Sequence, residues 1–131
     1  MSERQIRILM IDDSELTLDF QAMLLERHGF DVRTCISVDD VAAEIEGWTP
    51  DAILCDVNMP DVEGPDICPR LRGHAALTDI PIILCSGLEA EELARTAGAW
   101  GADGHVSKSE GIEDLPHLLR ELCDPQGSTL G

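Results

Sequence analysis

Ile6-Arg7-Ile8-Leu9-Met10-Ile11-Asp12-Asp13-Ser14 reads as a buried strand that stops on two carboxylates and passes into a helix. The run through Ile11 is almost continuously apolar, as a strand is when both faces of its sheet are covered. Ser14 is of a type that caps helices through its hydroxyl. Three later segments end in a comparable way. Ala52-Ile53-Leu54-Cys55 stops at Asp56, Ile82-Ile83-Leu84-Cys85 stops at Ser86, and His105-Val106-Ser107 stops at Lys108. In a parallel α/β sheet the carboxyl ends of the strands share one edge, and ligands bind there. The pattern predicts one site holding three carboxylates, a hydroxyl and an ammonium, suited to a divalent metal beside a phosphoryl group.

Outward from these strand ends, five strand-like runs alternate with five helix-like ones, which predicts an α/β fold with a parallel sheet. The first helix is expected from a Ser14 cap to about residue 28, with Leu16, Phe20, Met23 and Leu24 at helical spacing and Gly29 as its stop. Residues 31–35 alternate polar and apolar, which suits an edge strand. Ser37 is expected to cap a second helix reaching Glu46, with Val38, Val41, Ala42 and Ile45 on one face. Residues 57–64 are rich in turn formers, and Pro65 suits the first turn of a helix ending near Arg72. Pro69 lies inside that span, so the helix should be short or irregular. Helix four is expected over 90–97, a brief last strand over 104–107, and helix five over 112–123, with Ile112, Leu115, Leu118, Leu119 and Leu122 at helical spacing. Residues 124–131 read as a flexible tail or the start of a linker.

A chain of 131 residues is long enough to bury a core within one domain. Nine basic residues against 26 acidic ones give a net charge of −17. Such a surface repels phosphate backbones, so direct nucleic-acid binding is not expected, whereas clustered carboxylates welcome a cation. No apolar stretch approaches the roughly 20 residues needed to span a bilayer. The amino terminus lacks the apolar core of a signal peptide, so a cytoplasmic location without membrane contact is expected. The five cysteines (35, 55, 68, 85 and 123) show neither a CxxC pair nor zinc spacing, and reduced thiols are expected. Cys55 and Cys85 each precede a site residue on strands expected to be neighbours. Their thiols are therefore expected near one another, with a strained disulfide as the minor alternative.

Three segments are the most specific: Ile11-Asp12-Asp13-Ser14; Cys55-Asp56-Val57-Asn58-Met59-Pro60 followed by Glu63-Gly64; and Gly101-Ala102-Asp103-Gly104 ahead of the strand bearing Lys108. Singly each has a bland reading: a solvated helix start, a turn cap, a surface lysine. In this order, over residues 5–123, the chain resembles a bacterial two-component response-regulator receiver domain of the single-domain, chemotaxis-regulator-like kind. The resemblance implies a flavodoxin-like (βα)5 three-layer sandwich with a five-stranded parallel sheet of order 2-1-3-4-5, the receiver occupying 1–123. It implies that Asp56 is the phosphoacceptor, a carboxylate nucleophile. It also implies Mg²⁺ held by Asp13 directly, by Asp12 largely through water, by Asp56 and by the backbone carbonyl of Asn58. Lys108 would pair with phosphoryl oxygens, and Ser86 would donate its hydroxyl to one of them. A sensor histidine kinase or phosphotransfer protein would supply the phosphoryl group. The surface of helix four, strand five and helix five would signal to an output protein or a fused output domain. Beyond its own phosphorylation and dephosphorylation no enzymatic activity is implied.

The chain departs from the family pattern twice. The family usually carries Lys-Pro with a cis bond; here Ser109 follows Lys108, and because a non-proline cis bond costs about 2.5–4 kcal/mol, a trans bond is expected. His105 stands where the family usually has Tyr or Phe as a switch residue. Histidine changes charge near neutral pH, so either a pH-sensitive switch or a simply exposed edge-strand histidine is expected. Trp100 is a candidate interface anchor, with local packing as the alternative. Two other functions compete. A phosphohydrolase of the haloacid-dehalogenase type needs a second Asp two residues past the nucleophile, and this chain has Asn58 there, which cannot protonate a leaving group. A receiver-fold scaffold that has lost phosphorylation is the other. No DNA-binding helix pair or catalytic module follows residue 123, so a stand-alone receiver and one cut from a longer protein both remain open.

Overall fold

The apolar run that opens the chain becomes β1 (Arg7–Ile11), the strand next to one edge of a five-stranded parallel sheet. In the computed structural model, which describes residues 5–109 and 112–123, it pairs with β2 (Asp31–Cys35) on one side and β3 (Ala52–Asp56) on the other. β4 (Ile82–Ser86) and β5 (Gly104–Ser107) complete the order β2-β1-β3-β4-β5. This is the flavodoxin-like order expected. The expected tail from residue 124 lies outside the described residues. Every described peptide bond is trans, including Lys108–Ser109.

Alternation along the central strands sends successive side chains to opposite faces. Ile8, Met10, Leu54 and Ile83 meet Leu18 and Leu25 of α1 (Glu15–Arg27) and Leu115 and Leu119 of α5 (Leu115–Cys123). Leu9, Ile11, Ile53 and Ile82 face the other way, onto Val41 of α2 (Val41–Glu44) and Ile67 and Leu71 of α3 (Ile67–Arg72). Leu84 and Val57 meet Leu93 and Ala97 of α4 (Ala90–Trp100). The result is a three-layer sandwich with both sheet faces buried. Each fully buried aliphatic side chain contributes about 1.5–3 kcal/mol, so the four buried residues of β1, Ile8 to Ile11, anchor the fold.

Four expectations change. The face of α1 that meets the sheet is Leu18, Gln21 and Leu25, while Leu16, Phe20 and Met23 are 81%, 55% and 47% exposed. Both sets have helical spacing, and a glutamine in the middle of the true inner face disguised it. Leu18→Ala is expected to cost about 2–5 kcal/mol and Leu16→Ala within about 0.5 kcal/mol, as read by urea unfolding. The second helix is a single turn, and Ser37 is not its cap. The amides of Val38 and Asp39 are taken by Asp61, at 3.2 and 2.8 Å, from the loop after β3. α4 runs on to Trp100, because its stop is Gly101 in the left-handed region (φ 78°). Trp100 therefore ends the helix and is not in the loop after it.

Cys55 and Cys85 also part company. Asp56, not Cys55, is the register partner of Cys85, so the two thiols leave the sheet on opposite faces. Cys55 packs in the α2–α3 layer, and Cys85 accepts a hydrogen bond from Gln21 Nε2 at 3.7 Å in the α1 layer. All five cysteines are free.

Candidate functional site

At the carboxyl edge of β1 and β3, oxygen atoms of Asp12, Asp13 and Asp56 all lie within 4.8 Å of one another. Asp12 is buried and Asp13 exposed, so the chain turns outward between them. Ser14 begins α1 with its Oγ accepting from the Thr17 amide at 3.2 Å, as expected of a cap. Its own amide donates to Asp12 Oδ1 at 2.9 Å. The other Asp12 oxygen accepts from Lys108 Nζ at 2.6 Å, the ammonium arriving from the end of β5. The expected lysine thus reaches the expected Asp12 past the two strands, β4 and β3, that separate β5 from β1.

Asp56 Oδ1 accepts from the Val57 amide at 2.8 Å. Its pKa is raised, first by burial and also by repulsion from Asp12; Lys108 and the amides of Val57 and Asn58 oppose the rise. Lys108 is also raised. Burial works against its charge, but the hydrogen bond to Asp12 and the fields of Asp56 and Asp12 outweigh that. The site therefore holds an excess of negative charge that one lysine only partly offsets. An all-oxygen donor set of three carboxylates close together, with an exposed Asn58 on the adjoining loop, fits the preferences of Mg²⁺.

Ser86 ends β4 buried, and its Oγ accepts from the Leu88 amide at 3.3 Å. Its carbonyl accepts from the Lys108 amide at 2.7 Å, which fixes the two strand ends to each other. Ser107 donates its hydroxyl to the Leu88 carbonyl at 2.8 Å. His105 is exposed on the edge strand β5.

Three further residues support the site, and of these Asp61 gave no sequence signal. Asp61 ties the loop after Asp56 to the turn after β2, a contact between segments that no spacing rule reveals. Asp103 accepts from the Ile82 amide at 2.9 Å and from Arg72 at 2.8 Å, which explains the Asp of the Gly-Ala-Asp-Gly segment as a brace for the start of β4. Trp100 packs locally: a Cβ on Gly64 would overlap its indole ring. The end of α4 is thereby seated on the far end of the loop that begins at Asp56. Gly64→Ala is expected to cost about 1–3 kcal/mol by overpacking, and adding Trp100→Leu should recover part of that loss. Thermal melts of the single and double variants would measure it.

The family model described as "Response regulator receiver domain" matches residues 8–120. The gliding motility regulatory protein of Myxococcus xanthus is 30% identical over 120 residues, covering 91% of this chain and 15% of that protein. The DNA-binding dual master transcriptional regulator RpaA of Synechocystis is 30% identical over 116 residues, covering 88% of this chain and 48% of that protein. The chain thus spans less than half the length of these two relatives. Among solved structures, the chemotaxis response regulator CheY4 of Vibrio cholerae superposes with a TM-score of 0.76 over 90% of this chain and 98% of that one, at 24% identity. That likeness carries the fold. Among the described residues no helix is long and apolar enough to cross a membrane. With its sheet order, its strand-end residues and a family match over nearly its whole length, the chain belongs to the response regulator receiver domains of two-component signalling.

Proposed function

We propose that this chain receives a phosphoryl group on Asp56 and passes the signal on through its α4–β5–α5 surface. The observation that carries the reading is the meeting of Asp12, Asp13 and Asp56 within 4.8 Å, with Lys108 2.6 Å from Asp12. An Asp56 oxygen attacks phosphorus while the donor's P–N bond breaks, and its electron pair leaves on the imidazole. The product is an acyl phosphate. Asp12, Asp13, Asp56 and the Asn58 carbonyl would hold Mg²⁺, which supplies positive charge for the phosphoryl oxygens. Lys108 pairs with a second oxygen, and Ser86 leaves Leu88 to donate to a third. Positioning and charge neutralisation suffice for this chemistry. A switch role for His105 rests on its seat on β5, one strand from Ser86.

The donor is a sensor histidine kinase or phosphotransfer protein. Its docking face is the outer side of α1, where Leu16 and Phe20 are exposed beside the Lys108 end of the site. Phe20→Ala is expected to slow transfer from a protein donor by about tenfold or more while leaving the reaction with acetyl phosphate unchanged. The decisive experiment is incubation with acetyl phosphate, or beryllium fluoride, plus Mg²⁺. A mass or fluorescence change that requires Mg²⁺ is expected, and its absence, where a known receiver reacts, would leave an interaction scaffold.

A further inference from the structure

Beside the edge strand β5 lies an open groove of about 460 Å³ between the start of α4 and the exposed side of α5. Ala90, Val106 and Leu118 give it apolar walls, and Asp114 and Glu121 supply two carboxylates. His105 and His117 complete the rim, His117 Nε2 lying 3.4 Å from Glu121 Oε2. Among the described residues no Arg or Lys lines the groove. The basic residues on its flanking helices are engaged elsewhere: Arg120 turns to the opposite side, over the Phe30 ring and onto the His28 carbonyl, and Arg95 pairs with Glu91. Glu91 and Glu92 extend the acidic field along the first turn of α4.

We infer that this groove takes a basic segment of a protein partner, an apolar side chain flanked by arginine or lysine. An apolar floor with an acidic rim selects that chemistry, because rim charges set partner choice and approach rate. Anionic partners and a second copy of this chain, at a net charge of −17, meet repulsion. The groove is also wired to the site. Ser86 Oγ accepts from the Leu88 amide, and Ser107, on the strand that forms the groove floor, donates to the Leu88 carbonyl. Recruiting the Ser86 hydroxyl to a phosphoryl group removes one of these two tethers and frees the loop that leads to Ala90. This coupling rests on the phosphoacceptor reading above; the charge preference does not.

The test uses a labelled peptide carrying a leucine flanked by arginines, and its mirror with glutamates, in fluorescence anisotropy at physiological salt. Asp114→Lys with Glu121→Lys is expected to weaken the arginine peptide by about tenfold and to allow the glutamate peptide to bind. Asp40→Lys with Glu46→Lys makes the same charge change on the exposed α2 side and is expected to alter affinity by less than about twofold. Equal losses from the two pairs would reduce the effect to bulk charge and overturn the inference. So would a dimer in sedimentation that Asp114→Lys and Glu121→Lys dissolve, since it would assign the groove to a second copy. On the wild type, the Mg²⁺-dependent beryllium fluoride adduct is expected to tighten the arginine peptide. An adduct that forms without changing that affinity overturns the coupling. Failure to form the adduct counts against the phosphoacceptor reading, and the two variant pairs still decide the charge preference.

Discussion

Asp56→Asn is expected to abolish the Mg²⁺-dependent adduct with acetyl phosphate while making the protein melt at a higher temperature at neutral pH. The first effect follows from chemistry: an amide is no nucleophile toward phosphorus. Mass spectrometry should show less than about a hundredth of the wild-type adduct. The second follows from charge. Asp56 has a raised pKa through burial and the neighbouring Asp12, so ionising it costs more in the folded chain than in the unfolded one. That penalty is absent below the unfolded carboxylate value and complete above the folded one. The wild type therefore acquires this penalty as pH rises through the carboxylate range, and the asparagine variant, with no group to ionise there, does not. Their melting temperatures should converge in acid and differ by a few degrees at neutral pH, a modest gap because the site is partly solvated. Mg²⁺ should narrow it by stabilising the wild type more. A variant that melts lower at neutral pH would mean that Asp56 braces the fold, and the charge argument would fail.

The carboxyl edge was legible because the sequence marks each strand end twice, by the loss of apolar character and by the residue that follows. Asp12, Asp13, Asp56, Ser86 and Lys108 all lie at that edge. Ser14 was legible for a local reason, since a cap and its amide are three residues apart. What stayed hidden depends on contacts between distant segments. Leu16, Phe20 and Met23 are as well spaced as Leu18, Gln21 and Leu25, and only the sheet decides which row turns inward. Ser37 loses its capping role to Asp61, 24 residues on in the chain, because that carboxylate reaches both amides. The extension of α4 to Trp100 has a local cause in Gly101, whose left-handed backbone (φ 78°) ends the helix. That exposed row on α1 is also what supports the proposed docking face, because it is an apolar face kept free of the core.

Lys108→Ala is expected to move two measurements in opposite directions, tightening Mg²⁺ by about tenfold and lowering the beryllium fluoride adduct by about a hundredfold or more. Lys108 Nζ already occupies one Asp12 oxygen at 2.6 Å in a pair that is largely buried. A divalent cation approaching Asp12, Asp13 and Asp56 must share that oxygen and meet the repulsion of the ammonium. Two unit charges 4 Å apart interact by about 4 kcal/mol at a protein-surface dielectric, and a third of that changes Kd tenfold. Removing the ammonium relieves the competition, so metal titration should show higher affinity. The adduct behaves oppositely because its fluorides, which stand in for the three phosphoryl oxygens, need the ammonium once the analogue is bound. Lys108→Arg separates charge from shape: it keeps the repulsion, so Mg²⁺ affinity should stay near wild type, while the guanidinium, a planar fork on a longer reach, should restore only part of the adduct. If Lys108→Ala leaves Mg²⁺ affinity unchanged, the ion pair with Asp12 does not compete with the metal. If both measurements fall together, the Lys108 side chain acts by holding the end of β5 against Asp12, and not by competing with the metal.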